Sequence, residues 1–134
     1  MQSMKKTIVL YNPRAPYYTF PLPLLAISTM IERTKYDIKI IDARIDRNAH
    51  QHVLESLGKA ICVGVSVLTG SPIQDALSIT KLVKEHRPDI PVVWGGWHPS
   101  IFPEQCMQEG LADYVVMGQG ELSFKELLGC LESK

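Results

Sequence analysis

Two rhythms of apolar residues alternate along this chain. Short runs of strand length are separated by stretches in which apolar positions recur every three or four residues, the period of an amphipathic helix. Thr7-Ile8-Val9-Leu10-Tyr11 is the first predicted strand. Ile38-Lys39-Ile40-Ile41-Asp42 is the second; its apolar–polar alternation suits the edge of a sheet. Ala60 to Val67 is the third and most apolar, which predicts a central strand. Pro91-Val92-Val93-Trp94 is the fourth, with its proline where a strand tolerates one, at the first residue. Asp113 to Met117 is the fifth.

The stretches between them predict helices. Pro23 to Arg33 carries Leu24, Ile27 and Ile31 on one face, and Asn48 to Leu57 stops at Gly58. Ser71-Pro72-Ile73-Gln74 reads as a capped start, with Ser71 as N-cap and Pro72 first in the helix. That helix presents Ile73, Ala76, Leu77, Thr80 and Val83 and ends before Pro88. Phe102 to Glu109 is a short helix. Glu121 to Leu131 is the last, with Phe124, Leu127, Leu128 and Leu131 at i, i+3, i+4, i+7. Met1-Gln2-Ser3-Met4 precedes the pattern and takes no part in it.

Strand and helix alternate five times. Parallel strands need long crossovers, and right-handed crossovers cover both faces of the sheet. The predicted fold is α/β: a flavodoxin-like, doubly wound, five-stranded parallel sheet in order 2-1-3-4-5, as one domain over residues 5–132. Ligands of such sheets bind beyond the carboxyl ends of the strands, at the switch between strands one and three. The unusual residues collect at that edge. Asn12-Pro13-Arg14-Ala15-Pro16-Tyr17-Tyr18 follows strand one, and Ser66-Val67-Leu68-Thr69-Gly70 closes strand three. Gly95-Gly96-Trp97-His98-Pro99 follows strand four, and Gly118-Gln119-Gly120-Glu121 follows strand five. Turns everywhere favour Gly and Pro, so each loop alone reads equally as turn chemistry. The contrast with the plainer opposite edge is what points to a site.

Composition narrows the ligand. With 134 residues, 46% of them hydrophobic, the chain can bury a core without disulfides, and its formal net charge is zero. Neutrality gives no electrostatic reason to expect nucleic acid or an anionic membrane. The three cysteines, Cys62, Cys106 and Cys130, are an odd, widely spaced set, neither a disulfide framework nor the spacing of a zinc or iron–sulfur site. The run after Lys5 and Lys6 is too short for a signal peptide or a membrane span, and the expected compartment is the cytoplasm.

Several ligands are excluded by chemistry. Asn12-Pro13-Arg14 is no G-x-G-x-x-G turn, no hydroxyl- and glycine-rich flavin phosphate loop and no P-loop. Tyr11 and Ser66 stand where a phosphoacceptor domain has carboxylates. No Ser-His-Asp set, Cys-His pair or carboxylate pair stands out, so no catalytic residue and no metal ligand is assigned. Ser66 and Thr69 read either as hydroxyls bonding their own backbone or as ligand contacts, and Gly70 and Ser71 also as helix start. Gly95 and Gly96 directly after a buried strand favour close ligand approach over a plain turn. His98 is the imidazole at this edge and reads first as a hydrogen-bonding surface residue. His50 and His52, two apart, face apart on a helix, and His86 suits a helix C-terminus. Trp94 reads as core, and Trp97, Tyr17 and Tyr18 as exposed. Glu121 suits a first helical turn.

Taken in order, these loops resemble the N-terminal cobalamin-binding domains of cobalamin-dependent radical S-adenosylmethionine enzymes, over Lys6 to Leu131. Ser66-Val67-Leu68 is similar to the S-x-L segment whose serine lies by the buried nucleotide tail, and Gly95-Gly96 to the pair that lets the tail pass close to the backbone. Val93 to Pro99 and Gly118-Gln119-Gly120-Glu121, near a G-E-G-E pattern, are similar to the radical subgroup. The resemblance implies cobalamin as cofactor, held by Asn12, Pro13, Ser66, Leu68, Thr69, Gly70, Gly95, Gly96, His98, Gly118, Gly120 and Glu121. The D-x-H-x-x-G of methionine synthase and the mutases is absent after strand one, which implies cobalamin with its own base displaced and no histidine from that loop on cobalt. Arg14 is left open to a propionamide, a partner domain or solvent. The radical domain, with its [4Fe-4S] cluster and S-adenosylmethionine, has no counterpart here. The chain thus reads as an excised module or a stand-alone carrier, its partner the C-terminal radical domain of a methyltransferase or of a cyclase like the anaerobic Mg-protoporphyrin monomethyl ester oxidative cyclase. The alternative is a flavodoxin-like binding or interaction domain without cobalamin, with a flavin electron carrier third.

Overall fold

A computed structural model describes residues 5–18, 20–108 and 111–133. Five parallel strands, β1 (Lys6–Asn12), β2 (Tyr36–Asp42), β3 (Ala60–Ser66), β4 (Val92–Gly95) and β5 (Tyr114–Val116), form one sheet in the order β2-β1-β3-β4-β5. This is the flavodoxin-like order expected, with the alternating β2 at an edge and the apolar β3 in the middle. The helices are α1 (Leu22–Thr29), α2 (Ala49–Glu55), α3 (Pro72–His86), α4 (Trp97–Ile101), α5 (Pro103–Gln108) and α6 (Glu121–Glu132).

Side chains alternate across each strand, and the two faces build separate cores. Val9, Tyr11, Val63, Val65, Val92 and Trp94 pack beneath α2, α3 and α5. Ile8, Leu10, Cys62, Val93 and Val116 pack beneath α1 and α6, against Leu24, Phe124 and Leu128. Trp94 is buried and its indole N–H donates to the equally buried Thr80 hydroxyl at 2.9 Å, satisfying both polar groups. Burial pushes the Cys62 thiol up to about 12, so it behaves as a small core residue.

Three local expectations are corrected. The first helix ends at Thr29 rather than Arg33: the Ser28 and Thr29 hydroxyls bond back to the carbonyls of Leu25 and Ala26, and the backbone N–H groups of Met30 and Ile31 close three-residue turns. Ser71 occupies the N-cap of α3 but makes no side-chain cap, because its φ of −56° and ψ of −32° are already helical, whereas a capping side chain needs an extended backbone. Residues 97–101, read as loop, form α4. Pro99 sits in its first turn, where a backbone N–H has no partner to lose. The next helix runs Pro103–Gln108; the Glu109 assigned to its end, like Met1 to Met4, lies outside the described residues.

Candidate functional site

A cavity of about 480 Å³ opens at the C-terminal edge of the sheet, between β1, β3, β4 and β5 and the paired helices α1 and α6. Its cause lies in the strand alternation. On the α1/α6 face the positions toward the strand ends are Gly64 and Ser66 in β3 and Gly95 in β4, where the opposite face has Val65 and Trp94. Gly64 sits on the cavity floor. A Cβ there would stand 2.9 Å from Leu10 Cδ2 and 3.7 Å from the Phe124 ring, so a side chain would fill the space. Leu10, Leu24, Val93 and Phe124 give the rest of the floor carbon walls.

The mouth is built differently. Gly96 has φ +102°, open to glycine at little cost, and a Cβ on it would lie 3.0 Å from the Val67 carbonyl oxygen and 3.2 Å from its nitrogen. Neither atom can retreat. Val67 N–H donates to Gly95 O at 2.8 Å, and Val67 O accepts from His98 N–H at 3.0 Å. Ser100 ties two loops together: its hydroxyl donates to Gly96 O at 2.7 Å and accepts from Gly118 N–H at 2.8 Å. The Ser66 hydroxyl faces the cavity with no hydrogen-bond partner among the described residues. Gly118, Gln119, Gly120 and Glu121 complete the rim at the start of α6.

The loop after β1 is held from the other side of the sheet. Asp75, in the first turn of α3, accepts hydrogen bonds from Tyr11 Oη (2.7 Å), the Arg14 backbone N–H (2.6 Å) and His50 Nε2 (2.8 Å). Burial alone would raise the Asp75 carboxyl, but these bonds outweigh it and hold it below the usual carboxylate range. Burial first, then the Asp75 carboxylate, pushes the Tyr11 phenol well above its ordinary value. The Arg14 guanidinium donates to the carbonyls of Ala43 and Asp46, and Arg44 donates to Pro13 O while its guanidinium lies 5.0 Å over the Tyr17 ring. Asn12 donates to Asp42 at 3.0 Å.

Of the residues singled out from the sequence, Ser66, Gly95, Gly96, Gly118, Gly120 and Glu121 line the cavity together. Leu68, Thr69, Gly70 and His98 stand outside that lining; Thr69 Oγ1 pairs with His98 Nδ1 at 3.3 Å, and the imidazole leans on Phe102 at 5.4 Å between ring centroids. Asn12 and Pro13 are buried at the top of β1 and also stand outside the lining. His50 and His52 go to different carboxylates, Asp75 and Asp46, and no group of three or more metal-ligating side chains occurs among the described residues. The sequence reading missed Gly64, Leu10 and Phe124 as cavity walls. For Gly64 a signal existed: a lone glycine inside an apolar strand marks a close approach.

The B12 binding domain family matches residues 9–128. An uncharacterized methyltransferase of Pyrococcus horikoshii is 35% identical over 114 residues, covering 83% of this chain and 24% of that protein. The anaerobic magnesium-protoporphyrin IX monomethyl ester cyclase of Synechocystis is 27% identical, over 84% of this chain and 23% of the cyclase. The chain therefore spans about a quarter of the length of these curated relatives. Among solved structures, the cobalamin-dependent S-adenosylmethionine radical enzyme OxsB with aqua-cobalamin bound superposes with a TM-score of 0.78 over 97% of this chain and 19% of its own, at 19% identity, which attests the shared fold. Among the described residues no helix is long and apolar enough to cross a membrane.

Proposed function

We propose that this chain, which belongs to the B12-binding domain family, holds cobalamin base-off over the C-terminal edge of its sheet, as the cofactor module of a larger radical S-adenosylmethionine methyltransferase or cyclase. The observation that carries this reading is the cavity itself, with its carbon floor at Gly64 and its glycine mouth at Gly96. A detached nucleotide tail needs such a slot beneath the corrin, and the residues fit it. Gly96 lets the loop after β4 close directly on the Val67 backbone and so shapes the mouth, and the unpartnered Ser66 hydroxyl can bond to the tail. The corrin would then rest on Leu68, Thr69, Gly70 and His98 around the cavity, with Gly118, Gly120 and Glu121 on the far rim, while the buried Asn12 and Pro13 would support the loop after β1 from beneath.

When bound, the corrinoid supplies a cobalt centre able to carry a methyl group. The protein's part is to bind, orient and exclude. The β1–α1 loop offers Asn12, Pro13, Arg14 and tyrosines, none a usual strong cobalt donor, and Arg14 is engaged with backbone carbonyls. His98 is turned to Thr69 and Phe102. No side chain of this domain then ligates cobalt on the face toward the sheet. Residues 5–132 form one module, and the [4Fe-4S] cluster and S-adenosylmethionine belong to the remaining three quarters of the parent protein, in line with the length of its relatives.

The test is a titration of the folded chain with hydroxocobalamin and with cob(II)alamin, followed by absorbance and paramagnetic resonance. We expect binding, a base-off spectrum and no nitrogen-14 splitting of the cobalt lines. Absence of binding by folded protein refutes the cofactor assignment. Nitrogen splitting that vanishes in His98→Ala, with cobalamin still bound, refutes the axial assignment.

A further inference from the structure

The two ends of the cavity differ in chemistry. At the floor, Leu10 stands beside Gly64 and Gly64 beside Val93 in the parallel ladder, so the strand N–H and C=O groups are spent on one another. With Phe124 above them, the floor offers carbon and no hydrogen bond. The mouth is polar: Ser100 already donates and accepts there, and the Gln119 and Glu121 side chains stand on the rim at the start of α6, away from the floor. The Ser66 hydroxyl, one donor at the boundary between the two ends, is left over.

We infer that this cavity selects among corrinoids by their lower base, taking an apolar benzimidazole and rejecting a purine; the inference rests on the proposal that the nucleotide tail enters the cavity. A benzimidazole joined to ribose through one ring nitrogen keeps a single polar atom, the other ring nitrogen. That atom is an acceptor, which the Ser66 O–H satisfies, and the fused carbocycle with its methyl groups meets only the carbon walls. Adenine keeps several ring nitrogens and an exocyclic amine. Among Leu10, Val93 and Phe124 these have no partners, and each buried polar group left unpaired costs about tenfold or more in affinity. Discrimination of this kind comes from the polar groups the wrong ligand strands, rather than from shape.

The experiment uses the full chain and three corrinoids: cobalamin, the corresponding cobamide with adenine as lower base, and cobinamide, which has no nucleotide. Binding is read by equilibrium dialysis and by quenching of Trp97, 70% exposed at the cavity mouth. We expect cobalamin to bind at least about tenfold more tightly than the adenine cobamide, with cobinamide weaker than cobalamin. Dimethylbenzimidazole is the stronger cobalt donor, so detaching the base works against this order and cannot produce it. Equal or reversed affinities of the two cobamides overturn the selection while leaving the corrinoid reading in place. Failure of all three corrinoids overturns the corrinoid reading as well. Gly64→Ala narrows the floor; it is expected to weaken cobalamin binding and leave cobinamide binding unchanged, the latter showing that the variant is folded. Val93→Thr, which adds a hydroxyl at constant shape, is expected to reduce the preference for benzimidazole over adenine. Full cobalamin affinity in Gly64→Ala, or an unaltered preference in Val93→Thr, counts against the base lying on this floor.

Discussion

The two faces of one sheet use the same three strands in opposite ways. Toward α2 and α3 the residues near the strand ends are large: Tyr11 from β1, Val65 from β3 and Trp94 from β4, all essentially sealed from solvent. Toward α1 and α6 the neighbouring positions are Leu10, Gly64 and Gly95, and a cavity of about 480 Å³ replaces the packing. A shift of one residue along each strand thus separates a filled core from a hollow one. Close-packed interiors do not keep empty space without a reason, because the lining atoms lose their dispersion partners. The filled face also fastens the β1–α1 loop through Asp75, while the hollow face has its polar groups at the rim. One side carries stability and the other is left open to a ligand.

The sharpest test removes the largest side chain from the filled face. Trp94→Ala is expected to cost about 3–5 kcal/mol of unfolding free energy, measured in denaturant, since it opens a void and removes the indole hydrogen bond to Thr80, whose hydroxyl keeps its bond to Ala76 O. Cobalamin affinity of the molecules that remain folded should not change. An affinity loss without a stability loss would merge the two faces and remove the distinction drawn between them.

Gly96→Ala comes next and should move both quantities. Its φ of +102° is strained for any other residue, and the new Cβ meets Val67 backbone atoms that are fixed by their own hydrogen bonds. A loss of roughly 1–3 kcal/mol of stability is expected, together with weaker cobalamin binding. Gly95→Ala is the cleaner probe. Its nearest contact is 3.7 Å, to Val116 O, and its φ is not in the left-handed region. Near-normal stability with reduced cobalamin affinity is the expected outcome there, and unchanged affinity would take this stretch of β4 out of the site.

The filled face could be read from the sequence far better than the hollow one. Short apolar runs located every strand, and the i, i+3, i+4, i+7 face of Phe124, Leu127, Leu128 and Leu131 located α6. That same pattern hid the cavity. An apolar helical face looks identical whether it meets side chains or empty space, so Phe124 and Leu10 read as plain core. Only the juxtaposition of α6 with Gly64 makes them walls. Pro99 masked α4 because a proline within a short segment reads as a break, although the first helical turn tolerates it. The Asp75 cluster left no local trace: its three partners lie 64, 61 and 25 residues away in sequence.

The smallest expected effect concerns that cluster and carries a sign. The Asp75 carboxyl is held below the usual range in the folded chain, so the ionised form is the one the fold favours. Its contribution is fully present above the unfolded aspartate value, about 4, and is lost as pH falls through the lower folded value. Tyr11 runs the other way: raised by burial and by Asp75, it contributes below about pH 10, and that contribution is lost as pH rises toward its folded value. Asp75→Asn keeps the shape and exchanges a charged acceptor for a neutral one, a difference of about 1 kcal/mol at neutral pH. Denaturant unfolding of both proteins across the pH range should therefore show the variant less stable at pH 7, with the two curves converging as the medium is acidified. A gap that stays constant down to low pH would mean that the Asp75 charge does not anchor the loop after β1. Cobalamin binding should respond only weakly to this exchange, because Asp75 stands on the filled side and reaches the ligand edge through the Arg14 backbone alone.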